Sequence, residues 1–420
     1  MARHTWVLGG VVGLAAILVA FAAASSGDTS AKSVTTPLET VDTTVASAEP
    51  TSAATTEPPT TSTPPTSTTV APTSTSTTVE PTTTIDGRRF NAAAFDAVIS
   101  SATVDLGDVS AGAAVIRNGE VLHAAGFGME NPLTPATSST RFRLASVSKL
   151  LTTVAVMQLV DEGAIELDKP FAAQLDRDEP FADPRIATVT VRQLLSHMSG
   201  FGAARNLYFG HAVETWQQAA NTAMNGALAS DPGTAYKYSN TNFCILGLLV
   251  EKVTGSPFET AIRDRVLRPL GIEAHLAPTF DTEVGDAMHN TGPGRNYMEV
   301  LGPAGGWVAT PTDVAKLAAA LRDDPEAAGL DQDDVDAMRV PVPVPTETPP
   351  PVNGWSYGLG LMLFGDGGWG HTGTIESTHD VVVNRPDGLT VSVLISGDRP
   401  SNTDKLLPVI DLAVAAGFAS

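Results

Sequence analysis

A chain of 420 residues holds 25 lysines and arginines against 46 aspartates and glutamates, a formal charge of −21 with the basic residues scattered. That balance disfavours nucleic acid as a partner. Cys244 is the single cysteine, which excludes an intrachain disulfide framework, and the dispersed histidines, with no H-E-x-x-H string, give a metal site no support.

Residues 1–27 open with MARHT and continue with an uncharged, Val-, Leu- and Ala-rich stretch from Trp6 to Ala24. Small residues at Ala22-Ala23-Ala24-Ser25-Ser26 suit signal-peptidase cleavage. The stretch is also long enough to stay in a bilayer as an anchor, and no cysteine stands directly after it to carry a lipid. In either case the bulk of the chain is expected outside the cytoplasm, secreted or held to the membrane by residues 6–24. Residues 28–85 are almost wholly Thr, Ser, Pro, Ala and Val. Such a composition buries too little apolar surface to repay ordering, so a disordered linker is expected. At about 3 Å per residue it reaches on the order of 100 Å or more, enough to carry a folded part through or along a cell wall. Residues 86–420 form that folded part.

An amphipathic helix is expected over 88–101. Two strands follow, 113–117 and 120–126, turning at Asn118-Gly119, a strong hairpin signal. The stretch SVSKLLTTVAVMQLVDEG has apolar residues at steps of three and four and predicts a buried helix ending near Gly163. From Gly163 to about Arg339 helices and loops alternate, with helical patterns at 189–200, 215–229, 243–255 and 311–324. Residues 339–354 read as a Pro-rich surface loop. Strands resume at 355–364 and 369–376, then a hairpin joins 378–384 to 389–396 through Arg385-Pro386-Asp387-Gly388. Residues 402–418 close the chain as a helix. Both chain ends thus supply strands and a helix, and the middle is helical. The expected architecture is α+β, one antiparallel sheet built from both ends with a helical lobe inserted, and a cleft between them is the place for a site.

Three strings carry chemistry. Ser146-Val147-Ser148-Lys149 heads the buried helix, and residues three apart share a helix face. Lys149 is therefore expected within reach of the Ser146 hydroxyl, beside the free N–H groups of a helix start: a nucleophile, a base and an oxyanion donor together. Tyr238-Ser239-Asn240 sits in a Gly- and Asn-rich loop before another helix. Near Lys149 the Tyr238 anion would be favoured and could take the Ser146 proton, while the Asn240 amide could hold Lys149 and a substrate carbonyl. Gly370-His371-Thr372-Gly373-Thr374 lies on a strand where glycine lets another backbone approach. The Thr374 N–H could be a second oxyanion donor, and His371 could relay a proton.

In order and wide spacing these strings resemble the penicillin-recognising serine hydrolases: β-lactamases, DD-peptidases and their esterase relatives. Tyr-x-Asn resembles the class C branch, and the combination with His-Thr-Gly is most similar to exported Streptomyces-type D-alanyl-D-alanine carboxypeptidases. FRLASVSK, LVDEGAIELDKP, VTVRQLLSHMSGF, PGTAYKYSNTNFCILGLLVEKVTG and AGGWVATPTDVAKL are family-like too, so the resemblance spans about 95–415. It implies a five-stranded sheet, no cofactor, and acylation of Ser146 with Lys149 and Tyr238 as the general-base pair. Asn240 would position Lys149 and substrate. His371 and Thr372 would line the cleft, Gly373 would sit on the substrate strand, and the N–H groups of Ser146 and Thr374 would form the oxyanion hole. Substrates would be small peptides, esters or β-lactams, with peptidoglycan as the larger partner. Met362 stands where the carboxypeptidases carry an arginine for the substrate carboxylate, Ser377 stands where a glycine is usual, and Glu376 would repel a carboxylate. An esterase or amidase of the same fold is thus a close alternative, and His371 in place of a lysine makes an efficient β-lactamase less expected. A non-catalytic penicillin-sensing or wall-binding domain is the alternative of another class; it has no need for both Lys149 and Tyr238.

Overall fold

The computed structural model describes residues 84–419 apart from 86, 105–109, 178–179, 211, 278–282, 290–296, 343–353 and 398–402. The signal, anchor and linker expected over 1–85 lie outside the described residues, save a two-residue ladder of Thr84–Ile85 on Arg88–Arg89. Most of the Pro-rich loop expected at 339–354 lies outside them too. Among the described residues no helix is long and apolar enough to cross a membrane.

The main sheet is antiparallel and its strands come from both parts of the chain. In chain order they are β1 (Ser110–Arg117), β2 (Glu120–Asn131), β3 (Thr134–Pro135), β4 (Trp355–Tyr357), β5 (Met362–Phe364), β6 (Trp369–Ile375), β7 (Thr378–Asn384) and β8 (Leu389–Ser396). In space they run β3-β2-β1-β8-β7-β6-β5-β4. The five long strands β1, β2, β6, β7 and β8 make the expected sheet, and three strands of two or three residues widen it at both edges to eight. The β1–β8 ladder, from Ser110 opposite Ser396 to Arg117 opposite Leu389, sews the two parts together.

The helices needed here are α1 (Ala92–Val104), α2 (Lys149–Asp161), α3 (Val191–Leu195), α4 (Arg205–Phe209), α5 (Asn240–Thr254), α6 (Pro311–Asp323) and α7 (Leu406–Gly417). α1 and α7 pack on each other and on one face of the sheet, where Phe95, Ile99 and Ile410 meet Val115 and Val391. α6 covers the other face against β1 and β8. With both faces covered, β7 and β8 are buried along their whole length; hence their long apolar runs rather than a strict alternation.

Local chemistry explains most boundaries. The Asn118-Gly119 turn takes φ of 49° and 76°, the left-handed pair that the right-handed twist of a two-residue hairpin requires. α6 begins because the Thr310 hydroxyl accepts the Asp313 N–H and Pro311 fits the first turn. Several expectations change. The helix expected over 88–101 begins only at Ala92, because Arg88–Arg89 pair as a strand with Thr84–Ile85, and the helix expected over 215–229 ends at Met224. The strand expected over 355–364 is two strands, because the chain turns at Gly358–Leu361, where Gly360 has φ of 68° and lies against Thr153. The helix expected over 189–200 ends at Leu195, since His197 has φ of 58° and leaves helical space.

Candidate active site

Ser146 does not lie on the long helix. Ala145–Ser148 form a 3₁₀ turn, and α2 starts at Lys149. The expected Ser146–Lys149 contact survives because a 3₁₀ turn has three residues and eclipses positions i and i+3. The turn begins with Ala145 at φ of 43°, a region that non-glycine residues adopt only when their surroundings enforce it. Here a short strand, Trp307–Ala309, enforces it. The Leu144 N–H donates to the Trp307 carbonyl at 2.8 Å, and the Trp307 N–H donates to Ser148 Oγ at 3.2 Å. On the other side β6 supports the turn: a Cβ on Gly373 would stand 2.5 Å from the Leu144 carbonyl oxygen. The close approach expected at this glycine is therefore made by the turn that carries Ser146.

Lys149 is wholly buried. Its Nζ contacts three acceptors: the Ala304 carbonyl at 2.6 Å, Asn240 Oδ1 at 3.0 Å and Ser146 Oγ at 3.1 Å. Burial pushes its ammonium down to about 7, so near neutrality the free amine is well populated. An amine has two hydrogens. With those on Ala304 and Asn240, the lone pair faces Ser146 and can take the hydroxyl proton. Acylation is accordingly expected to rise with pH through about 7, as Lys149 loses its proton. Single-turnover acylation between about pH 5 and pH 9 measures it, and a flat profile would remove the titrating amine from the step.

Tyr238 is hydrogen-bonded to Ser146, and its ring centroid lies 5.0 Å from Lys149 Nζ. Burial pushes the phenol up, with the Ser146 bond acting the other way. This corrects the expected phenolate: Tyr238 is held as a phenol and can hand a proton on rather than start as the base. Asn240, first residue of α5, holds Lys149 as expected. The thiol of Cys244 is buried and pushed up to about 12 by that burial, so it stays protonated.

His371 and Thr372 are placed differently from expectation. His371 is 1% exposed and is not among the cleft residues. Its Nδ1–H donates to the Thr372 carbonyl at 2.6 Å, which leaves Nε2 to accept the Tyr357 hydroxyl at 2.9 Å. Burial, reinforced by Lys149, pushes it down to about 3. A histidine so held stays neutral and does not relay the Ser146 proton. The Thr372 hydroxyl donates to Met362 Sδ at 3.3 Å, also away from the cleft. Thr374 does reach the cleft, a space of about 180 Å³ that Ser146, Tyr238 and Asn240 also line.

Two residues without a role in the sequence reading hold Tyr238. His197 Nδ1 accepts the Ser239 N–H at 3.1 Å and the Asn242 amide at 3.0 Å, while its carbonyl accepts the Lys237 N–H at 2.8 Å. His197 therefore clamps the chain on both sides of Tyr238, and its ring stacks on the phenol at 4.2 Å. Tyr357 meets His197 edge-on at 4.8 Å and ties this group to His371. The available signal for His197 was its place in VTVRQLLSHMSGF; Tyr357 had none, being an aromatic residue in a strand.

The Ser146–Lys149–Tyr238 constellation on this sheet-and-helix frame defines the class. The family model described as Beta-lactamase matches residues 95–415. The chain belongs to that family. It is 35% identical over 148 residues to Penicillin-binding protein 4 of Amycolatopsis lactamdurans, covering 35% of this chain and 38% of the relative. It is 32% identical over 197 residues to Esterase EstB of Burkholderia gladioli, covering 43% and 50%. These matches span about two-fifths to half the length of the curated relatives. Among solved structures, SurE with D-Leu superposes with a TM-score of 0.63 at 28% identity, covering 77% of this chain and 75% of that one.

Proposed function

We propose that the protein is an exported serine hydrolase that works through an acyl-enzyme on Ser146, acting as a cell-wall peptidase of the D-alanyl-D-alanine carboxypeptidase kind. The observation that carries acyl transfer is the buried Lys149 amine within 3.1 Å of Ser146 Oγ, with Ser146 also bonded to the Tyr238 phenol. Lys149 takes the hydroxyl proton as Oγ attacks the substrate carbonyl. The N–H groups of Ser146 and Thr374 receive the oxyanion. As the intermediate collapses, the leaving group takes a proton from Tyr238, and the Lys149 ammonium restores it. Water then attacks the ester by the reverse sequence, releasing the acid and the free serine.

Residues 1–27 would direct export and 28–85 would tether the enzyme in the wall. An esterase or amidase of the same fold is the second reading. It is favoured by Met362, which occupies β5 opposite Gly370 and brings no charge of its own to hold a terminal carboxylate.

Intact mass after incubation with benzylpenicillin, beside a Ser146→Ala control, tests the proposal. A lasting adduct confined to the unmodified serine supports the peptidase reading. Hydrolysis of simple esters without any adduct moves the function to an esterase. Failure of every acyl substrate, with peptidoglycan still bound, would leave the non-catalytic binding domain.

A further inference from the structure

The mouth of the cleft carries a charge that the acyl-transfer chemistry does not use. Arg205 opens α4 just after Ala204, whose φ of 46° breaks the chain direction before the helix. Arg205 and Phe209 line the same cleft as Ser146, Tyr238, Asn240 and Thr374. The guanidinium lies over the Phe209 ring, 5.9 Å from its centroid, and the side chain is exposed to the cleft. A guanidinium resting on a ring face keeps its fork of N–H donors free at its edge.

The surroundings make that choice informative. The chain is strongly acidic, and Arg141, Arg185, Arg192 and Arg385 each hold a carboxylate. Among the described residues no ion pair involves Arg205, and an unspent cation beside the nucleophile is a recognition element for an anion. Phe209 packs on Tyr297 at 5.8 Å, and the Tyr297 hydroxyl donates to Glu376 at 3.1 Å. A substrate carboxylate is drawn toward Arg205, while Phe209, Leu301 and Ile375 supply apolar wall.

We infer that Arg205 is a specificity-determining residue that anchors a substrate carboxylate, so the cleft selects small peptides, amides or esters bearing a free carboxylate. The inference rests on acyl transfer at Ser146 and adds the substrate class. It also assigns to the helical lobe a contact that Met362 on β5 does not make.

The test uses the full chain and two matched pairs of esters. The para-nitrophenyl monoester of glutaric acid against para-nitrophenyl pentanoate places the carboxylate on the acyl portion. Meta-acetoxybenzoate against phenyl acetate places it on the leaving portion. For each pair the readout is the ratio of kcat/KM, acid over neutral. In Arg205→Ala that ratio is expected to fall about 10-fold for at least one pair, as for a charge-assisted contact at an exposed rim. The fall should be carried by KM rather than kcat, Arg205→Lys should recover part of it, and rising salt should erode the wild-type ratio. Ratios that stay put in Arg205→Ala, or equal slowing of both members of each pair, overturn the assignment while leaving acyl transfer standing. Failure of the wild-type chain on all four esters, with no penicillin adduct, overturns acyl transfer itself and the assignment with it.

Discussion

Lys149→Ala is expected to slow acylation of Ser146 by about 10³–10⁵-fold while the fold persists. The size follows from what the amine does. It is the group placed to accept the Ser146 proton, at 3.1 Å, and burial has brought it down to about 7. Tyr238 cannot replace it, because burial pushes the phenol up and keeps its proton in place. His371 cannot either, since its ring bonds to Thr372 and Tyr357. Stopped-flow acylation with a chromogenic ester measures the loss, and far-ultraviolet circular dichroism checks the fold. A small primary amine in the buffer should restore part of the rate by occupying the vacated space. Near-normal acylation without it would show that another group takes the proton.

The second large effect is expected from a glycine packed against the turn that carries Ser146. In Gly373→Ala the new Cβ would stand 2.5 Å from the Leu144 carbonyl oxygen and 3.2 Å from both Ala145 Cβ and Asp380 Oδ2. The nearest of these is backbone of the turn that presents Ser146, and that turn is already tied to Trp307 on its far side. It can only move away from β6. Overpacking of this kind costs about 1–3 kcal/mol of stability. A shift of roughly 1 Å in a nucleophile costs on the order of 10²-fold in rate. Thermal unfolding and kcat/KM for a simple ester should therefore fall together. Unaltered kinetics would show that the turn repositions without moving the Ser146 hydroxyl.

These two substitutions mark the boundary between what was readable along the chain and what was not. Features legible in the sequence depend on neighbours a few residues away. The Asn118-Gly119 hairpin follows from two residues that tolerate positive φ. The start of α6 follows from Thr310 and Pro311. The Ser146–Lys149 contact follows from a spacing of three, which held although the local helix proved to be 3₁₀. The family followed from several such strings in one order, each readable by itself.

Tertiary structure decided the rest, because it turns on burial and on contacts between distant segments. Asn240 is 91 residues from Lys149, and Ala304 is 155 residues away; nothing local announces either partner. The phenolate expected for Tyr238 failed because charge alone was weighed, whereas the cost of burying an anion dominates there. His371 was read as a relay from its motif, yet its position on β6 turns the ring toward Tyr357. Arg205 carried no signal of type or spacing that set it apart from ordinary residues, and His197 only its place in VTVRQLLSHMSGF. His197 became a clamp because its ring packs on Tyr238, and Arg205 a cation at the cleft because its segment lines the same space as Ser146. The sequence alone thus determined which groups could do chemistry. Packing determined which of them are deprotonated, which face Ser146 and which only hold others in place, since protonation and orientation depend on solvent exclusion that no stretch of chain creates alone.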